Sequence, residues 1–201
     1  MNSKLVKASS ALTLFILMAS VVASSAPAYA STTHAVRIGP SFGGGSLLTY
    51  QDGLKINNAT FDISKHYTTI PTQNLIIGDK SNIKLKIFDN VGAKNIVSVL
   101  MFVNLSGNDP VASKTHTYIA WEKSGGVSVS DPTGVFQKVT GWVKIKHQLM
   151  WLTFHIIPAK PLTGNDIIIK AWDSNYASGQ EEILNAINFG VLPTGSVNTV
   201  Q

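Results

Sequence analysis

The chain has 201 residues, 16 Lys and Arg against 11 Asp and Glu, a formal net charge of +5, a charged fraction of 13% and no cysteine. Lacking cysteine, it can form no disulfide, thiolate metal centre, lipid-modified cysteine or cysteine nucleophile. The charge is mild, comes in no run of four like charges and sits on a fraction below the usual ~25%, so nucleic-acid binding has no support from composition.

Residues 1–30 read as an export signal. Lys4 and Lys7 precede the apolar run ALTLFILMASVVA at 11–23, and Ala28 and Ala30 supply the small residues of an A-x-A cleavage site. The run is shorter than the roughly 20 residues of a membrane span. Cleavage before Ser31 leaves 171 residues, 14 of them basic and 11 acidic. That length suits one domain with a core of its own. Residues 31–53, including GPSFGGGS at 39–46, read as a flexible lead-in with a first short strand. The glycine run lacks the Lys-Ser/Thr of a phosphate loop.

From 54 to 192 the pattern is that of strands. Short candidates lie at 34–38, 54–63 and 73–77. Alternation is clearest at 82–89, NIKLKIFD, where Ile83, Leu85 and Ile87 share a face, and at 95–105, NIVSVLMFVNL. It recurs at 115–121, 134–146, 149–157 and 166–172. Turn clusters separate the strands: DNVG at 89–92, SGNDP at 106–110, KSGG at 123–126, DPTG at 131–134 and TGN at 163–165. Seven to nine strands at this spacing predict an antiparallel, immunoglobulin-like β-sandwich. Ser178 and Glu181 form a capping box ahead of EEILNAI, and Gly190 could end the segment, which predicts one short helix near the C-terminus. The tail 193–201 is polar.

The segment 134–157 fixes its own register. With His147-Gln148 as the loop, Lys146 faces Leu149, Lys144 faces Trp151 and Val143 faces Leu152. Val135, Val139, Val143 and Ile145 then join Met150, Leu152, Phe154 and Ile156 on the core side. The other side carries Phe136, Lys138, Thr140, Trp142 and Lys144 beside Trp151, Thr153 and His155. An indole pair edged by lysines can stack on flat rings and attract anions, so Trp142, Trp151, Lys144, Lys138 and His155 form the candidate contact face. Asp131 and Asp173 stand where strands meet turns and read as bonding backbone amides.

Reactive constellations are missing. The five histidines, at 34, 66, 116, 147 and 155, form no H-x-H, H-x-x-x-H or H-E-x-x-H pattern, and no G-x-S-x-G occurs. His34 is the metal candidate: third in a chain cut after Ser31, it would offer a square-planar Cu(II) chelate with the amine and two amides. Asn58 and Asn104 begin the sequons Asn58-Ala59-Thr60 and Asn104-Leu105-Ser106, the glycosylation candidates.

Five segments occur in fixed order: IFDNVGAKNI at 87–96, VLMFVNLSG at 99–107, HTYIAWEKSG at 116–125, DPTGVFQKV at 131–139 and LTFHIIPAKPLTGNDIIIKAWD at 152–173. Together, over roughly residues 75–175, they resemble a group of small exported proteins from ammonia-oxidising archaea. The resemblance implies an extracellular or envelope β-sandwich and carries no activity with it. The chain departs from the group at His155, where an acidic residue is expected, and at His147, where a turn glycine is.

These readings converge on a secreted or cell-envelope protein on the extracellular side. It is expected to be non-enzymatic and without a cofactor, and to bind or assemble with an envelope protein, a glycan or copies of itself. Alternatives are an extracellular polysaccharide-binding module and, through His34, a copper-binding extracellular protein. Neither nucleic acid nor a membrane span in the mature chain is expected.

Overall fold

The computed structural model describes residues 39–43, 52–103, 105, 112 and 115–191. The signal segment, His34, the strand candidate at 34–38, Asn104 and the tail 193–201 lie outside them. All described residues belong to one unit, 36–201.

Among the described residues thirteen strands build two sheets. In the first, β1 (Ser41–Phe42), β2 (Leu54–Ile56), β3 (Ala59–Phe61), β6 (Ser81–Phe88), β10 (Phe136–Lys146) and β11 (Leu149–Pro158) run in the order β10-β11-β6-β2-β3, with β1 also beside β6. The second holds β4 (Tyr67–Thr69), β5 (Gln73–Ile76), β7 (Ile96–Val103), β8 (Tyr118–Glu122), β9 (Gly126–Ser130), β12 (Leu162–Asp173) and β13 (Ser178–Gly190). Its order is β4-β13-β12-β7-β8-β9, with β5 also on β13. Pairing is antiparallel except where β4 and β5 lie parallel to β13. The expected antiparallel β-sandwich is present, built among the described residues from more strands than the seven to nine predicted.

Period-two burial makes the sandwich. Ile83, Leu85 and Ile87 of β6 and Met150, Leu152, Phe154 and Ile156 of β11 point into the shared core and are fully buried. They meet Ile167, Ile169 and Ala171 of β12 and Val99 and Met101 of β7 from the second sheet. Each such side chain contributes roughly 1.5–3 kcal/mol of burial, enough to replace the missing disulfides as the source of stability. The second sheet also buries residues on its outer side. Leu100, Phe102, Ala120 and Ile168 form a separate cluster, with Leu105, Tyr118 and Trp172 packed against it.

The predicted C-terminal helix is not formed; residues 178–190 are strand β13. Its buried residues Ile183, Ala186, Ile187 and Phe189 mimic a helical 3–4 spacing because the strand bulges. Asn165 pairs with Ile187 and Ile167 with Ile183, so two steps on β12 face four on β13. At the bulge Asn185 takes φ 52°, and its N–H donates to Asp166 Oδ1 at 2.6 Å. The apparent capping box is broken by pairing, since Glu181 faces Ile169 and Ser178 faces Trp172.

The lead-in is partly structural. Ser41 and Phe42 pair with Phe88 and Ile87, and Phe42 enters the core. Its approach depends on Gly179, where a Cβ would fall 1.7 Å from the Pro40 carbonyl oxygen.

Candidate functional site

The β10–β11 hairpin has the register read from its sequence. Lys146 pairs with Leu149, Lys144 with Trp151, Val143 with Leu152, Trp142 with Thr153 and Thr140 with His155. His147 takes φ 55° in the two-residue turn. The two strands differ in coverage. β11 buries its inward residues fully, whereas β10 is the sheet edge, with Val139 and Val143 half-buried and Ile145 exposed. One assignment is corrected. Phe136, expected outward, packs on the core and lies 5.8 Å from the Phe189 ring, because a bulge between Phe136 and Lys138 reverses its facing.

The candidate face is therefore the outer side of the first sheet, and cross-strand pairing extends it past the hairpin. One row runs Trp142, Thr153, Lys84, Lys55. A second runs Lys144, Trp151, Lys86 and a third Thr140, His155, Asn82. Trp142 is 46% exposed, Lys144 and Lys138 are exposed, and Trp151 and His155 are half-buried. All five predicted contact residues thus lie on one face, with His155 between two hollows.

The larger hollow, about 260 Å³, is lined by Trp142, Thr153 and His155 of the hairpin and by Lys55, Asn57, Asn82 and Lys84 of β2, its turn and β6. The smaller, about 120 Å³, lies among Lys80, Lys138, Thr140, His155 and Ile157. Among the described residues the ion pair on this face is Lys86 Nζ with Asp52 at 2.9 Å, and no acid lines either hollow. Burial and the Lys80 charge push the His155 imidazole below its ordinary pKa, which favours its neutral form. Its Nδ1 bonds Asn82 Oδ1.

Lys55, Lys84, Asn57 and Asn82 were not among the residues singled out from the sequence. The alternation of NIKLKIFD puts Asn82, Lys84 and Lys86 opposite the buried isoleucines, which was a usable signal. Their adjacency to Trp142 depends on pairing between segments some seventy residues apart.

The carboxylates elsewhere have structural work. Asp173 Oδ1 accepts the N–H groups of Asn175 and Ala177 at 2.8 and 2.9 Å, and Asp131 accepts those of Val135 and Phe136 at 3.0 and 2.8 Å. Both occupy the turn positions expected of them. Asp89 Oδ1 likewise accepts from Val91 and Gly92; burial raises its pKa, and the Asp173 charge adds to the rise. Among the described residues no three His, Asp or Glu side chains come together as a metal cage. Asn58 is exposed on the β2–β3 turn.

No protein-family model matches the chain, and no curated protein does. Among solved structures it is similar to murine CRIg at 11% identity, covering 70% of this chain and 97% of that one, with a TM-score of 0.37. A DUF4466 family protein from Parabacteroides merdae ATCC 43184 shows 10% identity over 70% of this chain and 46% of that one, TM-score 0.30. The PapD-like domain 7 of human CEP192 shows 11% identity over 74% and 92%, TM-score 0.24.

Proposed function

We propose that this protein is a non-enzymatic binding domain of the cell envelope, exported by residues 1–30, that docks an envelope component on the outer face of its first sheet. The resemblance noted in the sequence makes an archaeal envelope the setting. The observation that carries the reading is the company Trp142 keeps. Nearly half of this large indole is in water, on a face where six lysines, Lys55, Lys80, Lys84, Lys86, Lys138 and Lys144, meet one paired acid among the described residues. An exposed aromatic anchor rimmed by cations is costly to leave solvated and suited to a partner that covers the ring and answers the charge.

The test is cross-linking of the native envelope with wild type and with the Trp142→Ala/Trp151→Ala variant. The wild type is expected to carry cross-linked partners that the variant loses. Retention of every partner by the variant, with its fold intact by circular dichroism, overturns the assignment.

A further inference from the structure

Resting on the contact face proposed above, we propose that the hollow between Trp142 and the Lys55–Lys84 pair is a subsite for one anionic sugar residue of an envelope polysaccharide. Lys55 and Lys84 are direct cross-strand partners. Like charges so placed repel, and no acid among the described residues lining the hollow relieves them. Beside them Thr153 is 3% exposed, and its Oγ1 makes no hydrogen bond. A buried hydroxyl without a partner is an expense, and a turn about the Thr153 Cα–Cβ bond would bring it to a ligand group in the hollow.

The amides point the same way. Asn57 Oδ1 accepts the Asn82 N–H at 2.8 Å, and Asn82 Oδ1 is bonded by the His155 ring. Both amide oxygens thereby accept within the protein, which leaves the side-chain NH₂ groups as what the two amides can offer a ligand. Lysine ammonium groups donate and never accept. The hollow is thus rich in donors, and the Thr153 hydroxyl and Nε2 of a neutral His155 are its acceptors. Such a set selects a ligand with many acceptors, a negative charge and a hydroxyl to donate. A sugar ring bearing a carboxylate or sulfate has all three, and its flat apolar face can stack on the Trp142 indole. The volume, about 260 Å³, falls below the roughly 300–1,000 Å³ of sites that engulf larger ligands and suits a single ring. A nucleic-acid strand would need successive exposed aromatic platforms, whereas Trp151 is half-buried.

The full chain without its signal would be titrated calorimetrically with trigalacturonate, a sulfated trisaccharide, maltotriose and a single-stranded oligothymidylate. Binding of either acidic trisaccharide, but not of maltotriose, is expected, and which one binds identifies the anionic group. Lys84→Gln is expected to weaken it roughly tenfold and the isosteric Thr153→Val about three- to tenfold. Three results would each overturn the proposal: neither acidic sugar binds, the two substitutions change nothing, or oligothymidylate binds as tightly with the same losses. If neither sugar binds while Trp142→Ala/Trp151→Ala still strips partners from the envelope, the contact face stands and the sugar subsite falls.

Discussion

On the outer face of the second sheet, Trp172 packs against the cluster of Leu100, Phe102, Ala120 and Ile168, and the Lys170 ammonium stands 5.1 Å from its ring. On the outer face of the first sheet, Trp142 has no such cluster beneath it; the residue paired with it is Thr153, and Lys84 and Lys55 follow along the row. Both faces combine indoles and lysines. One uses them to finish a small secondary core, with Leu105 closing over it, and the other leaves them to solvent. A tryptophan with its own cation and its own apolar floor needs nothing further. Trp142, in a row with a buried threonine and two opposed lysines, has among the described residues neither such an apolar floor nor a cation over its ring.

The largest expected effect breaks this comparison most directly. Phe102→Ala is expected to cost about 3–5 kcal/mol in urea unfolding, as a core truncation does, since Phe102 is fully buried although it faces outward. Trp142→Ala, a larger truncation, is expected to cost about 0.5 kcal/mol or less, because its site is already wet. Equal costs would mean that the two faces do not differ in kind.

Unpaired groups inside and outside the sandwich are resolved differently, and pH separates them. Glu181 is half-buried with Oε2 lacking a partner; burial pushes its carboxyl up to about 7 from an ordinary 4.5, with the His66 charge pulling the other way. The folded state therefore holds this proton more tightly than the unfolded chain. Stability from this group is full below about pH 4.5, falls as pH rises towards 7 and is level above that. With solvent screening of a half-exposed group, the loss is of order 1–2 kcal/mol. Melting curves from pH 4.5 to 8 are expected to show the decline in wild type and a flatter profile in Glu181→Gln. A profile unchanged by the substitution would remove Glu181 from the account.

How far the sequence reveals this architecture depends on how local each feature is. The β10–β11 register was legible because alternation on both sides of a two-residue turn leaves one pairing that buries a whole face. Phe136 departs from its pattern because a bulge, invisible in alternation, reverses one side chain. The strand β13 carries a helical pattern for a related reason: the bulge at Asn185 spaces Ile183, Ala186 and Ile187 as a helix would, and Ser178 with Glu181 completes the imitation. The hairpin half of the candidate face could be read. The lysines and asparagines opposite it could not be placed, because strand order in a sheet is a long-range choice that periodicity does not record.

A smaller effect sharpens the contrast between the two indoles. If Lys170 completes the Trp172 site, Lys170→Met is expected to cost about 0.5–1 kcal/mol and to make one indole more accessible to acrylamide quenching. Lys144→Met, beside the half-buried Trp151 on the first sheet, is expected to change stability by less than that.

The smallest change is the most informative, because its two readouts carry opposite signs. Lys55 and Lys84 face each other with no acid among the described residues lining their hollow, so replacing either with glutamine removes a repulsion worth roughly 0.2–1 kcal/mol. Lys84→Gln is therefore expected to raise the melting temperature slightly at low salt, with the gain fading as ionic strength screens the wild-type pair. Were the lysines merely part of a solvated surface, stability would improve at no functional cost. If they are kept apart from acids in order to hold an anion, the same substitution that steadies the free protein releases its ligand. A variant that is both destabilised and still bound to the envelope would show that the pair serves the fold rather than the face.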